Sequence, residues 1–142
     1  MTDIYRIWMK RTKGFFEPEE LLSPDGMELF SRGHMVMNWD FLDKLVAFRE
    51  KMAVPFTVNS GFNRRRGWRS SAENLTYPCE GNPYHPMGVA ADISTKLNGA
   101  LFAGEAEAFG FVGIGLYDTF VHIDLRPKIG DNKFMWDNRR DR

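Results

Sequence analysis

The chain contains three histidines, His34, His85 and His122, so each imidazole able to bind a metal or move a proton can be weighed in turn. His85 and Asp92 flank Pro86-Met87-Gly88-Val89-Ala90-Ala91. Gly88 and the alanines let the backbone fold closely, and Asp92 lies in a short strand-like run, residues 89–93. A loop histidine and an aspartate on the strand that follows it can reach a single ion. His122 stands further along, in a run that alternates. Val121, Ile123 and Leu125 point one way, while Phe120, His122, Asp124 and Arg126 point the other. Two imidazoles and one carboxylate form a catalytic zinc donor set that leaves a fourth position for water. Such an ion lowers the pKa of water and polarises a carbonyl, which is what amide hydrolysis requires.

Spacing alone leaves other readings open. His85 can be an ordinary loop histidine, and His122 a hydrogen-bonded cleft or core residue. Two histidines and a carboxylate also build the facial triad of iron oxygenases. Those enzymes take their remaining histidine downstream of a His-x-Asp pair such as His122-Ile123-Asp124, and no histidine follows Asp124. His34 reads as a loop or capping residue. Cys79, six residues before His85, is either close to the metal or a free thiol without a role.

The elements that must position these residues are legible in part. Residues 15–22 read as a short helix with Pro18 in its first turn, ended by Ser23-Pro24-Asp25-Gly26. Asn38 is a good N-cap for a longer helix to about residue 53, with Phe41, Leu42, Leu45, Val46, Phe48 and Met52 as its apolar face. Residues 56–58 form a strand leading into a turn. Residues 63–84 are a long polar loop, in which Trp68, Tyr77 and Tyr84 are candidate cleft walls. Residues 98–109 read as a helix capped by Gly110. Asp118-Thr119 is the expected turn between antiparallel strands 112–117 and 120–126. Beyond Pro127 the tail, residues 128–142, is polar, with Phe134, Met135 and Trp136 as its anchors. The pattern predicts a single α+β domain over residues 1–142, with helices packed on a small antiparallel sheet.

Bulk properties exclude several classes. At 142 residues, 43% hydrophobic and 27% charged, the chain suits one folded domain and not a disordered segment. Nineteen basic residues balance nineteen acidic ones, which gives no case for general nucleic-acid binding. Arg64, Arg65, Arg66 and Arg69 nevertheless cluster, as do Arg139, Arg140 and Arg142. The single cysteine excludes an internal disulfide. The first residues lack the basic start and apolar core of a secretory signal, and no apolar run approaches the ~20 residues of a membrane span. A monomer without membrane or nucleic-acid partners, cytoplasmic when synthesised, is the expectation.

Three segments together carry a family resemblance: Ser60-Gly61-Phe62, then residues 85–93, then residues 113–126 with the sequence GIGLYDTFVHIDLR. In this order they resemble the zinc D-Ala-D-Ala carboxypeptidase family, whose relatives include phage endolysin peptidases and the hedgehog signalling domain. The resemblance covers about residues 15–127. It implies the hedgehog-like peptidase fold, with His85, Asp92 and His122 as ligands of a Zn2+ ion and peptidoglycan stem peptides as substrate. It also implies an endolysin-like setting, with phage-encoded delivery to the cell wall. Carboxypeptidase and endopeptidase activities both occur on this fold. Ser60, Arg64 and Tyr84 become the candidate substrate contacts.

The family's turn arginine usually follows the aromatic residue directly. Asn63 stands there, so Arg64 is a shifted candidate for holding a substrate carboxylate or carbonyl. Many relatives place Glu or Asp three residues before the last histidine as general base, where this chain has Thr119. Asp118 and Asp124 share strand parity with His122 and are the candidate replacements, although Asp124 can equally orient a ligand or pair with Arg126. The missing acid favours an alternative in which the domain holds zinc but is non-hydrolytic, serving as a binding or structural domain such as a virion protein.

Overall fold

A computed structural model of the chain describes residues 3–58, 68, 70, 72 and 83–140. The N-terminal part is helical. Helix α1 (Asp3–Arg11) buries Trp8, whose indole N–H donates to the Phe16 carbonyl at 2.8 Å. Two short helices follow, α2 (Pro18–Leu21) and α3 (Pro24–Ser31), each opened by a proline in its first turn. The short helix expected before residues 23–26 does end there, at Leu21 with Leu22 as its C-cap, but the same residues also begin the next helix. Ser23 accepts a hydrogen bond from the Gly26 amide at 3.3 Å, and Asp25 adds a negative charge at the positive end of the helix. Proline is read as punctuation, yet at the first helical position its fixed φ and missing N–H favour a start.

Helix α4 (Trp39–Met52) is capped by Asn38, whose Oδ1 accepts from the Phe41 amide at 3.0 Å. It buries Phe41, Leu42, Leu45, Val46 and Phe48. Helix α5 (Gly99–Phe109) is capped by Asn98 and stopped by Gly110 in the left-handed region at φ 104°. The Phe48 ring lies 5.3 Å from Phe102 of α5, 5.3 Å from Phe111 and 5.5 Å from Phe56. Aromatic packing of this kind joins both helices to the sheet in one core.

Among the described residues the sheet has five strands: β1 (Thr57–Val58), β2 (Ala90–Ser94), β3 (Gly113–Leu116), β4 (Val121–Asp124) and β5 (Phe134–Asp137), in the order β1-β2-β4-β3-β5. The first three pairings are antiparallel, and β5 runs parallel to β3. The expected wholly antiparallel sheet is therefore corrected to a mixed one, and the tail to an edge strand. Strand β4 ends opposite the start of β3, at the Asp124–Gly113 pair. A chain leaving that end and entering beside Gly113 must run in the direction of β3, so this parallel pair needs no helical crossover.

Ile93, Ile114, Val121 and Ile123 turn one face of the sheet into the core. Asp92, His122 and Asp124 occupy the opposite face, yet they are buried as well. Among the described residues no helix is long and apolar enough to cross a membrane.

Candidate metal centre

Register decides which side chains meet. Asp92 on β2 is directly paired with His122 on β4, so their side chains leave the sheet side by side. The His122 Nδ1 lies 3.0 Å from Asp92 Oδ1. His85 arrives from a tight turn, in which the Gly88 amide donates to the His85 carbonyl at 3.0 Å and the Val89 amide to the Tyr84 carbonyl at 3.2 Å. Gly88 is required twice there. Its φ is +76°, and a Cβ would come within 2.8 Å of the Met37 Cα. The Gly88 carbonyl accepts from the Asn38 amide at 2.9 Å, which docks the turn on the start of α4. The His85 Nε2 then lies 3.5 Å from Asp92 Oδ1, with the two imidazole centroids 5.1 Å apart.

These three donors can hold a metal ion, since one ligand atom from each lies within 4.8 Å of the others. Tetrahedral coordination at zinc bond lengths places neighbouring donors about 3.3–3.6 Å apart, close to the 3.0 and 3.5 Å separations from the Asp92 oxygen. His85 and His122 are 1% and 3% exposed and Asp92 9%, so the aspartate is the most open of the three.

The second nitrogen of His122 is also engaged. Its Nε2 lies 2.7 Å from Asp124 Oδ2. A carboxylate there accepts the Nε2 proton, fixing the tautomer that leaves Nδ1 as the metal donor. Asp124 is itself gripped by Arg126. The guanidinium Nη2 donates to Oδ2 at 2.7 Å, Nε to Oδ1 at 3.0 Å, and the Arg126 backbone amide to Oδ1 at 3.0 Å.

Charges follow from these contacts. Burial alone would raise the Asp92 carboxyl, but the neighbouring His85 and His122 imidazoles outweigh it and hold the group well below the usual carboxylate range. Asp124 is likewise raised by burial and lowered, on balance, by hydrogen bonds from His122 and Arg126. Burial pushes His122 down, but hydrogen bonds to Asp124 and Asp92 more than reverse this and raise it. Without an ion, the two carboxylates favour the protonated form of His122 over the neutral one.

The remaining expected site residues fall in different places. Tyr84 is half-buried, with the Arg126 guanidinium 4.3 Å from its ring centroid. Asp118 is exposed at the β3–β4 turn, where its Oδ1 accepts from the Arg140 amide at 3.0 Å. At ~3.3 Å per strand residue the turn lies on the order of 10 Å from His122. Thr119 is exposed, and its carbonyl accepts from Ser94 Oγ at 2.6 Å. Trp68 is buried, and its indole N–H donates to the Pro86 carbonyl at 2.9 Å, next to the His85 turn. His34 is exposed and outside the cluster. Ser60, Arg64, Tyr77 and Cys79 lie outside the described residues.

Sequence reasoning missed the contribution of the tail. Trp136 on β5 lies across Gly115, with its ring 5.3 Å from that of His122, and its indole N–H donates to the Tyr117 hydroxyl at 3.0 Å. A Cβ on Gly115 would overlap the indole, and one on Gly113 would overlap the Asp124 carboxylate. The Gly113-Ile114-Gly115 alternation was the available signal, because glycine inside a strand marks close approach by another group.

Fold and cluster together define an α+β protein with a mixed five-stranded sheet and a buried His-Asp-His centre able to hold a metal ion. Comparison of the chain with protein-family models, curated proteins and solved structures finds no match.

Proposed function

We propose that this chain is a zinc peptidase of the D-Ala-D-Ala carboxypeptidase type, hydrolysing peptide bonds in peptidoglycan stem peptides as a carboxypeptidase or endopeptidase. The observation that carries the reading is the convergence of His85, Asp92 and His122 at donor spacings suited to a tetrahedral ion. The chemistry of the set adds support, because two imidazoles and one carboxylate suit Zn2+ better than they suit harder ions such as Mg2+ or Ca2+. When bound, the ion supplies a Lewis acid for the scissile carbonyl and lowers the pKa of a water. His85 and His122 donate nitrogen, Asp92 donates oxygen, and Asp124 keeps the His122 ring in register. Ser60, Arg64 and Tyr84 are the proposed substrate contacts. Delivery to the wall by a phage lysis system or within a virion belongs to the same proposal and rests on the family resemblance.

A second reading, a domain that holds zinc without hydrolysing anything, is favoured by the carboxylates. Thr119 occupies the position of the expected base, Asp118 is bound to the Arg140 amide, and Asp124 is occupied by both His122 and Arg126. Metal analysis of protein purified without chelator, combined with muropeptide digestion, separates the two. The peptidase reading expects one zinc per chain, lost in His85→Ala and His122→Ala, together with cleavage products from the unaltered protein. Bound zinc without cleavage selects the second reading. Absence of zinc after adding it back to folded protein overturns both.

A further inference from the structure

The Arg126 guanidinium is enclosed by aromatic rings. Its Cζ lies 4.3 Å from the Tyr84 centroid, 5.2 Å from Phe134 and 5.2 Å from Trp136. Three rings from two separate segments, the His85 turn and β5, thus face one cation whose side chain is 13% exposed. Such rings attract the guanidinium electrostatically and restrict its motion. On its remaining side the guanidinium grips both oxygens of Asp124, a carboxylate with no exposed surface. Asp124 Oδ2 in turn meets His122 Nε2.

Gly113 and Gly115 make this packing possible, since side chains there would displace Asp124 and Trp136. The chain of contacts therefore runs from the aromatic rings to Arg126, then to Asp124 and then to His122. It crosses from the C-terminal edge strand to a candidate metal ligand without a gap.

We propose that Arg126, held by Tyr84, Phe134 and Trp136, is a positioning residue for the metal centre. By fixing the Asp124 carboxylate it sets the His122 ring so that Nδ1 faces Asp92 and His85. This rests on the reading of the cluster as a metal site, and it assigns a role to β5 that the ligands alone do not require. A carboxylate released from its guanidinium can rotate about its own side-chain bonds, and the His122 ring then loses its fixed orientation. Asp124 stands one contact behind the ligand, where such partners typically alter metal affinity by ~10–100-fold, and Arg126 acts through it.

The test is a zinc titration of the 142-residue chain against a chromophoric chelator. It compares the unaltered chain with Arg126→Gln, Asp124→Asn, the double variant and Phe134→Leu, with thermal unfolding of each metal-free protein alongside. Asp124→Asn is expected to weaken zinc binding ~10-fold or more, and Arg126→Gln to weaken it measurably in the same direction, by no more than Asp124→Asn does. The double variant should be little weaker than the worse single one, because both changes act through the same contact. Phe134→Leu keeps every charge and should weaken zinc binding in the same direction, which covers the case in which Arg126→Gln fails to fold. Phe48→Leu, in the core and outside the chain of contacts, controls for destabilisation and should leave zinc affinity unchanged. Unaltered affinity in Arg126→Gln, additive losses in the double variant, or an equal loss in Phe48→Leu would overturn the proposal. If the unaltered protein itself binds no zinc, the metal reading fails first, and that result is distinct from the other three.

Discussion

Zinc should stabilise this protein more strongly as pH rises, even though the metal-free cluster weakens over the same range. Without an ion, His122 is raised above its ordinary pKa. Burial opposes this, and the hydrogen bonds to Asp124 and Asp92 prevail. A group raised in the folded state contributes stability fully below its unfolded value of ~6.5, and loses it as pH climbs through the folded pKa. Asp92 and Asp124 are lowered on balance, so their contribution is present above ~3.9 and disappears as pH falls toward their folded values. The metal-free cluster therefore stabilises best between about pH 4 and ~6.5, and weakens from there up through the raised His122 value.

Binding an ion at Nδ1 displaces one proton from the imidazolium, while Nε2–H stays with Asp124. Below the raised pKa, affinity should thus change ~10-fold per pH unit, equivalent to ~1.4 kcal/mol. With zinc in excess, that change appears directly in the ligand's contribution to stability. For a chain of this length it moves Tm by about 5 °C per pH unit. Thermal unfolding at fixed free zinc and with chelator, from pH 5 to 8, gives the difference at each pH. A zinc-induced Tm shift that is flat across this range, or that shrinks as pH rises, would refute the placement of the metal on His122 Nδ1.

Other outcomes follow from particular contacts. Phe48→Ala should destabilise the protein by ~3–5 kcal/mol in chemical denaturation, because its ring is surrounded by Phe56, Phe102, Phe109 and Phe111. Gly115→Ala should cost about 1–3 kcal/mol and shift the tryptophan emission, since the new methyl group displaces the Trp136 indole. Asn38→Ala should cost ~0.5–2 kcal/mol by removing the cap of α4, measured by the denaturation midpoint. If the protein hydrolyses muropeptides, Asp118→Asn and Asp124→Asn should separate. A loss of turnover at unchanged zinc content marks a base, whereas a loss of zinc affinity marks an orienting group.

Much of this was legible in the order of residues. The strand carrying His122 was visible because β4 alternates, and alternation is the direct consequence of a two-residue side-chain period. The α4 and α5 helices were visible because Asn38, Asn98 and Gly110 punctuate them by local hydrogen bonding and φ alone. Helix α1 was not seen, because a single buried residue, Trp8, anchors it, and that burial depends on Phe16 and Phe30 arriving from elsewhere. The start of α3 is hidden in the sequence because Ser-Pro-Asp-Gly ends one helix and opens the next, and only the stop is legible.

The residue types of the candidate cluster, and the side of its strand that His122 occupies, were legible in the sequence. Their meeting was not, because a register shift of one residue would turn His122 into the helical core. That register is decided by the pairing of Asp92 with His122, and by Val121 and Ile123 seeking the helices on the other face. The tail was harder still. Phe134 and Trp136 look like isolated anchors in a polar segment, and they become part of the centre only because β5 finds the free edge of β3 over two glycines. Local hydrogen bonding and periodicity act within a few residues and can be read along the chain, whereas edge pairing joins residues 21 apart, such as Gly113 and Phe134, and only the folded sheet decides it.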